Sequence, residues 1–200
     1  MTDEQNARHK QRMARRKAIV DARIAKATET RGVLILLKGT GKGKSSSAFG
    51  TLIRALGHGH KAAVIQFIKG RISTGEHLFF QQYPLVDFHV MGHGFTWETQ
   101  DREQDVAAAQ KAWCKADAML QDPQYNFLLF DELSYMFKYR YLAIEPVIEA
   151  LQNRPKHQNV IITGRTMVAP LEAIADTISN VKDERHAFRQ GVKAQAGIEY

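Results

Sequence analysis

The chain reads as short apolar runs alternating with stretches in which apolar residues recur every three or four positions. The first run, Val33–Leu37, is unbroken and rich in branched side chains, as in a strand buried on both faces. Phe49, Leu52, Ile53 and Leu56 then fall at helical spacing, with Gly57 as a stop. Ala62–Ile68 predicts a second strand ended by Lys69-Gly70, and Val86–Met91 a third. Between them Ser73–Gly75 reads as a loop and Glu76–Tyr83 as a short helix stopped by Pro84. Asp101–Leu120 predicts a long helix whose acidic first turn suits its dipole and whose apolar anchor is Trp113. Phe127–Phe130 is a buried strand, Ile144–Leu151 a helix and Val160–Thr163 a strand. Pro170–Ala175 starts another helix, and Asp176–Val181 is the last core strand. From Arg185 onward Gly191 and Gly197 argue against regular structure.

Strands alternating with helices predict an α/β fold, a mostly parallel sheet with helices on both faces. Ligands of such sheets gather at the C-terminal ends of the strands. The glycine-rich loop after the first strand, Lys69-Gly70, the loop of residues 92–99, Asp131-Glu132 and Gly164-Arg165 would all lie at that edge.

The loop is Gly39-Thr40-Gly41-Lys42-Gly43-Lys44, followed by Ser45 and Ser46. A strand, a glycine loop and a helix start together hold polyphosphate. Glycines let backbone N–H groups turn inward, the helix N-terminus adds partial positive charge, and lysine neutralises phosphate oxygens. Ser45, directly after Lys44, stands where a P-loop places a magnesium ligand. The consensus is not met in full, because Lys38 occupies the position of its first glycine.

Asp131-Glu132 after Phe127–Phe130 is a Walker B arrangement, with carboxylates that can hold the magnesium touched by Ser45. Glu132 is open to two roles, metal ligand or activator of water. Arg165, after a strand and a glycine, is placed to reach a phosphate oxygen. Phe95 and Trp97 suggest a flat apolar partner, although two aromatics tucked into the core explain the same pattern. His89 and His93 have metal-ligand spacing, but Gly92 and Gly94 break any helix there and no carboxylate completes a set. No nucleophilic triad is visible, and Tyr135, Tyr139 and Tyr141 read as packing residues. The single cysteine, Cys114, reads as a helix packing position beside Trp113 and Ala116.

With 200 residues the chain is one domain carrying an arm, and we divide it at residues 1–31 and 32–200. Of the net charge of +7, the arm holds +5, which argues against a nucleic-acid surface spread over the domain. Met13, Val20, Ile24 and Ala27 form one thin apolar stripe on a helical arm. A stripe that thin either docks on this domain or a second subunit, or leaves the arm a solvated tail. No apolar run reaches membrane-span length and no secretory leader is visible, so a cytoplasmic setting is expected.

Taken together, GTGKGKSSSAFG (39–50), QFIKG (66–70), GFTWETQDRE (94–103), FDELSY (130–135), VIITGR (160–165) and RHAFRQGVKAQAGIEY (185–200) closely resemble the P-loop type of ATP:corrinoid adenosyltransferase. The basic arm ending ETRG is similar too, so the resemblance spans nearly the whole chain. It implies a RecA-like P-loop NTPase fold and transfer of the 5′-deoxyadenosyl group of ATP to the Co(I) of a corrinoid. The products are adenosylcobalamin, or its precursor, and triphosphate. By this resemblance Gly39, Thr40, Gly41, Lys42, Gly43, Lys44, Ser45 and Ser46 bind ATP, held in reverse relative to ordinary P-loop enzymes. Lys44, Lys42 and Arg165 assist catalysis, and Ser45, Glu132 and Asp131 hold Mg2+. Phe95 and Trp97 face the corrin and displace its lower axial ligand, easing reduction of Co(II) by a reduced flavin protein. The resemblance further implies a homodimer in which the N-terminal helix helps cover the partner's site.

Some positions depart from the family pattern. Lys38 replaces the usual Thr and sets an extra cation beside the phosphates; Thr40 replaces Asn or Asp. Thr166–Pro170 is unlike the usual stretch, and Asn180 stands where an acid is common. These departures bear on the corrinoid preferred more than on the reaction. Two rival readings remain: an ATP-hydrolysing P-loop protein with Glu132 as base, and a nucleotide-regulated nucleic-acid-binding module that uses the arm.

Overall fold

The computed structural model describes residues 3–68, 73–90 and 101–200. The chain divides into two compact units, residues 1–31 and 32–200. The first unit holds one helix, α1 (Asp3–Lys26), with Asp3 and Glu4 in the first turn and Arg23 and Lys26 in the last, as the helix dipole favours. Two i,i+4 ion pairs, Arg8–Glu4 and Lys17–Asp21, each at 2.6 Å, support it. Of its stripe, Met13 is half-buried and Ile24 is 65% exposed.

The second unit runs β1 (Leu34–Lys38), α2 (Lys44–Gly57), β2 (Ala62–Gln66), α3 (Gly75–Phe80), β3 (Val86–Val90), α4 (Arg102–Gln121) and β4 (Phe127–Asp131). It continues through α5 (Ser134–Lys138), α6 (Glu145–Asn153), β5 (Asn159–Gly164), α7 (Ala169–Ala173), β6 (Thr177–Asn180) and a 3-10 turn (Ala187–Gln190). The strands form one sheet in the order β3-β2-β4-β5-β1-β6, and every pairing is parallel. β1 therefore sits between β5 and β6, with β4 one strand further away, consistent with a RecA-like P-loop arrangement. Among the described residues no helix is long and apolar enough to cross a membrane.

Strict alternation along the strands builds a core on each face. Leu34, Leu36, Ala63, Ile65, Leu128, Phe130, Val160 and Ile162 pack against α4, α5 and α6. Leu37, Ala62, Val64, Phe127, Leu129 and Ile161 pack against Ala48, Phe49 and Leu52 of α2 and Phe80 of α3. Ala109, Ala112 and Ala116 let α4 lie close to the sheet, while Trp113 meets Phe130 edge-on at 6.2 Å.

Three expectations are corrected. β6 is not a core strand: all four residues are exposed, because it pairs only with β1 at the sheet rim. Cys114 is exposed, since the buried stripe of α4 runs through Ala109, Ala112, Ala116 and Met119 and passes it by. α5, absent from the periodicity reading, is only five residues long and buries Met136 and Phe137 without a side-chain cap to announce it. Lys69-Gly70, Met91 and residues 92–99 lie outside the described residues.

Candidate functional site

The loop between β1 and α2 is held by its glycines. Gly39 has φ +116°, and a Cβ there would run into the carbonyl oxygen of Val181. Gly43 has φ +112° and turns the chain into α2 without a side-chain cap, so the first-turn N–H groups of the helix have no intrahelical acceptor. Gly39 N–H donates to the Arg165 carbonyl at 3.1 Å and Gly41 N–H to that of Val181 at 2.9 Å, tying the loop to the ends of β5 and β6. Inside it the Lys44 ammonium donates to the Gly41 carbonyl at 2.8 Å and is largely buried. Burial pulls the Lys44 pKa below its usual value; Glu132 opposes that and Arg165 reinforces it.

Opposite the loop, strand parity gathers the polar groups. Gln66, Asp131 and Thr163 share the face of Ala62 and Val64, of Phe127 and Leu129, and of Ile161, so they point toward the start of α2. Asp131 Oδ1 accepts from Ser45 Oγ at 2.8 Å and from Thr163 Oγ1 at 2.7 Å, and Oδ2 accepts from Gln66 Nε2 at 3.1 Å. A buried carboxylate is thus satisfied by three neutral donors, one of them the hydroxyl that follows the loop lysine.

Glu132 is different. Its φ of +57° is left-handed, a conformation that costs a non-glycine residue of order 1 kcal/mol. Its N–H donates to Thr163 Oγ1 at 2.9 Å, while its buried Oε2 has no hydrogen-bond partner among the described residues. Burial first, and the Asp131 charge second, push its pKa up to about 7, against the pull of Lys44 and Arg165. Between the ordinary value of 4.5 and about 7 the native protein holds a proton that the unfolded chain releases. The group's contribution to stability is complete below the ordinary value and is lost as pH rises through about 7, a change of roughly 3 kcal/mol. Glu132→Gln should therefore melt with the wild type near pH 5 and several degrees above it at pH 8. Thermal melts at the two pH values check this, and equal curves at pH 8 would count against it.

The loop and Asp131 share a cavity of about 430 Å³, lined by Lys42 to Ser46, Phe49, Gln66, Thr74 to Glu76, Asp131 and residues 197–200; Glu132 lies behind Asp131 in the chain and does not line it. Gly39, Thr40 and Gly41 shape the loop without lining that space. Arg165 is exposed at the end of β5 and acts on Lys44 and Glu132 through its charge. Lys38 does not add a cation to the phosphate side: its ammonium pairs with Glu172 of α7 at 2.5 Å. Phe95 and Trp97 lie outside the described residues, and so does His93. Tyr135, Tyr139 and Tyr141 stack on one another at 5.8 and 5.7 Å.

Gln66 and Thr163 have a signal that periodicity reading passes over: each is polar at an inward position of an otherwise apolar strand. Asp183 and Glu199 have none, because they come from irregular chain. Asp183 Oδ1 accepts from the Lys42 N–H at 3.2 Å and Glu199 pairs with the Lys42 ammonium at 2.8 Å.

Residues 30–200 match the family model described as ATP:corrinoid adenosyltransferase BtuR/CobO/CobP, and residues 1–24 the one described as Cob(I)alamin adenosyltransferase N terminal. The chain is 50% identical over 198 residues to a corrinoid adenosyltransferase of Pseudomonas aeruginosa, covering 98% of each. It is 48% identical over 200 residues to that of Escherichia coli K12, and 49% to the corrinoid adenosyltransferase CobA of Salmonella typhimurium, covering 100% of each chain.

Proposed function

The chain belongs to the ATP:corrinoid adenosyltransferase family and is a transferase that adenosylates a corrinoid with ATP; from that premise we propose how its residues do so. Co(I) of the corrinoid attacks C5′ of ATP. A Co–C bond forms, the C5′–O bond breaks, and its electron pair leaves on triphosphate. Co(I) is already a strong nucleophile, so the protein's work is alignment and stabilisation of the departing charge. The observation that carries this reading is one cavity lined by Lys42, Lys44 and the first turn of α2, with Asp131 facing them. Lys44 and Lys42 neutralise triphosphate oxygens, the first-turn N–H groups donate to them, and Arg165 adds positive charge from the rim.

The donor set suits magnesium carried by a polyphosphate. Ser45, Asp131 and Glu132 Oε2, which has no partner among the described residues, are hard oxygen donors. Among the described residues no group of three or more His, Cys, Asp or Glu is placed to hold a metal alone, so phosphate oxygens and water would complete its shell. When bound, Mg2+ supplies charge neutralisation of the leaving group; Ser45 and Glu132 would hold it and Asp131 would orient Ser45.

Family likeness supports Phe95 and Trp97 as the corrin-facing pair. It also supports a reduced flavin protein as the one-electron donor that makes Co(I), a homodimer in which α1 meets a second copy, and a cytoplasmic setting. The relatives do not favour the hydrolytic or nucleic-acid readings. The deciding experiment is anaerobic. Protein, Mg-ATP and chemically reduced corrinoid should lose the Co(I) spectrum, form a light-sensitive adenosylcorrinoid and release intact triphosphate. Single phosphate released without corrinoid and without a Co–C bond would establish an ATPase instead.

A further inference from the structure

Lys42 lines the cavity with its main-chain N–H and its ammonium each in contact with a carboxylate from the segment that follows β6. Its main-chain N–H is given to Asp183 and its ammonium to Glu199 Oε2 at 2.8 Å. The two acids are not equivalent. The Asp183 carboxylate is only 7% exposed and also accepts from Arg189 at 3.2 Å, which fixes it as scaffold. Glu199 sits on a compact turn closed by Gly197 N–H to the Tyr200 carbonyl at 2.7 Å and Glu199 N–H to the Gln195 carbonyl at 2.8 Å. That turn lines the same cavity as Lys44 and Ser45. A carboxylate on a loop lysine occupies the cation that a polyphosphate oxygen would take, and it repels the incoming anion.

We infer that Glu199 is a resident counter-anion of the phosphate loop, competing with polyphosphate oxygens for the Lys42 ammonium. The inference rests on the reading of the loop as a polyphosphate site. Glu199 then sets the affinity for the triphosphate moiety of both substrate and product, and its return to Lys42 helps expel triphosphate after transfer. An anion built into the site keeps the product from becoming its own tight inhibitor.

The test uses inorganic triphosphate as probe, titrated calorimetrically into the full-length wild type, Glu199→Gln and Lys44→Ala. Glu199→Gln should bind roughly threefold to fivefold more tightly than wild type, the difference shrinking as salt rises. Equal or weaker binding by Glu199→Gln overturns the inference, as a merely structural role for the pair would require. Lys44→Ala keeps the two failures apart. If it loses binding while Glu199→Gln matches wild type, only the counter-anion role falls. If it binds as well as wild type, the loop is not the polyphosphate site and both readings fall. An independent readout is hydrogen exchange over residues 195–200, which should quicken when triphosphate binds; slower exchange there overturns the displacement.

Discussion

Lys44→Ala should give a folded protein that transfers adenosyl at about a hundredth to a thousandth of the wild-type rate, the scale for losing a preorganised group that meets developing charge. The lysine has two tasks in one side chain. The residue is 8% exposed, so the field of its ammonium on a leaving triphosphate is poorly screened, and it ties the loop to itself through the Gly41 carbonyl. Alanine removes both. The fold has little stake in the residue, because α2 is held to the sheet by Ala48, Phe49 and Leu52. Loss of one hydrogen bond costs about 1 kcal/mol, and relief from burying a cation offsets part of it. Transfer measured with chemically reduced corrinoid, beside a circular-dichroism melt, separates chemistry from folding. Near-normal turnover in a normally melting variant would remove the loop from the reaction.

Asp131→Asn should lower turnover roughly 10- to 100-fold and raise the magnesium concentration needed for half-maximal rate, the usual penalty for altering a group that orients a metal ligand. The oxygen that serves Ser45 and Thr163 can remain, so those two hydroxyls keep an acceptor. The new amide nitrogen, however, faces Gln66 Nε2 where Oδ2 stood, and two donors meet unless the Gln66 amide turns over. The stability cost is about 1–2 kcal/mol if it does not. A magnesium titration of activity and a thermal melt report the two effects separately. An unchanged magnesium dependence would place the metal elsewhere.

What could be read in advance followed from short-range physics. The apolar run at Val33–Leu37, the glycine loop and the helical spacing behind it correspond to β1, the loop and α2 within a residue or two at each strand boundary, because burial on both faces, left-handed backbone and amphipathic spacing each leave a local mark. Asp131 was visible for the same reason, as a charge ending an apolar strand. The illegible part was set by contacts far apart in sequence. Lys38 pairs with Glu172, 134 residues away. Gln66 and Thr163 become partners of Asp131 only when β2, β4 and β5 lie side by side in register. The exposed state of β6 depends on its having one neighbour, and Glu199 reaches Lys42 across 157 residues from a stretch with no periodicity. Cys114 shows the converse: a lone residue near an aromatic and an alanine on a helix says little until the buried face is known.

The placement of β1 between β5 and β6 also says when the site can exist during synthesis. β1 and its loop leave the ribosome early, but the acceptors that hold the loop, the carbonyls of Arg165 and Val181, are made more than a hundred residues later. Pairing across that distance is the slow kind of folding step. A nascent chain that already displays Gly39 to Ser46 has no frame on which to set those N–H groups and lysines around an anion. On the proposed reading of this loop as the polyphosphate site, the site is complete only after the strands that flank β1 have been made.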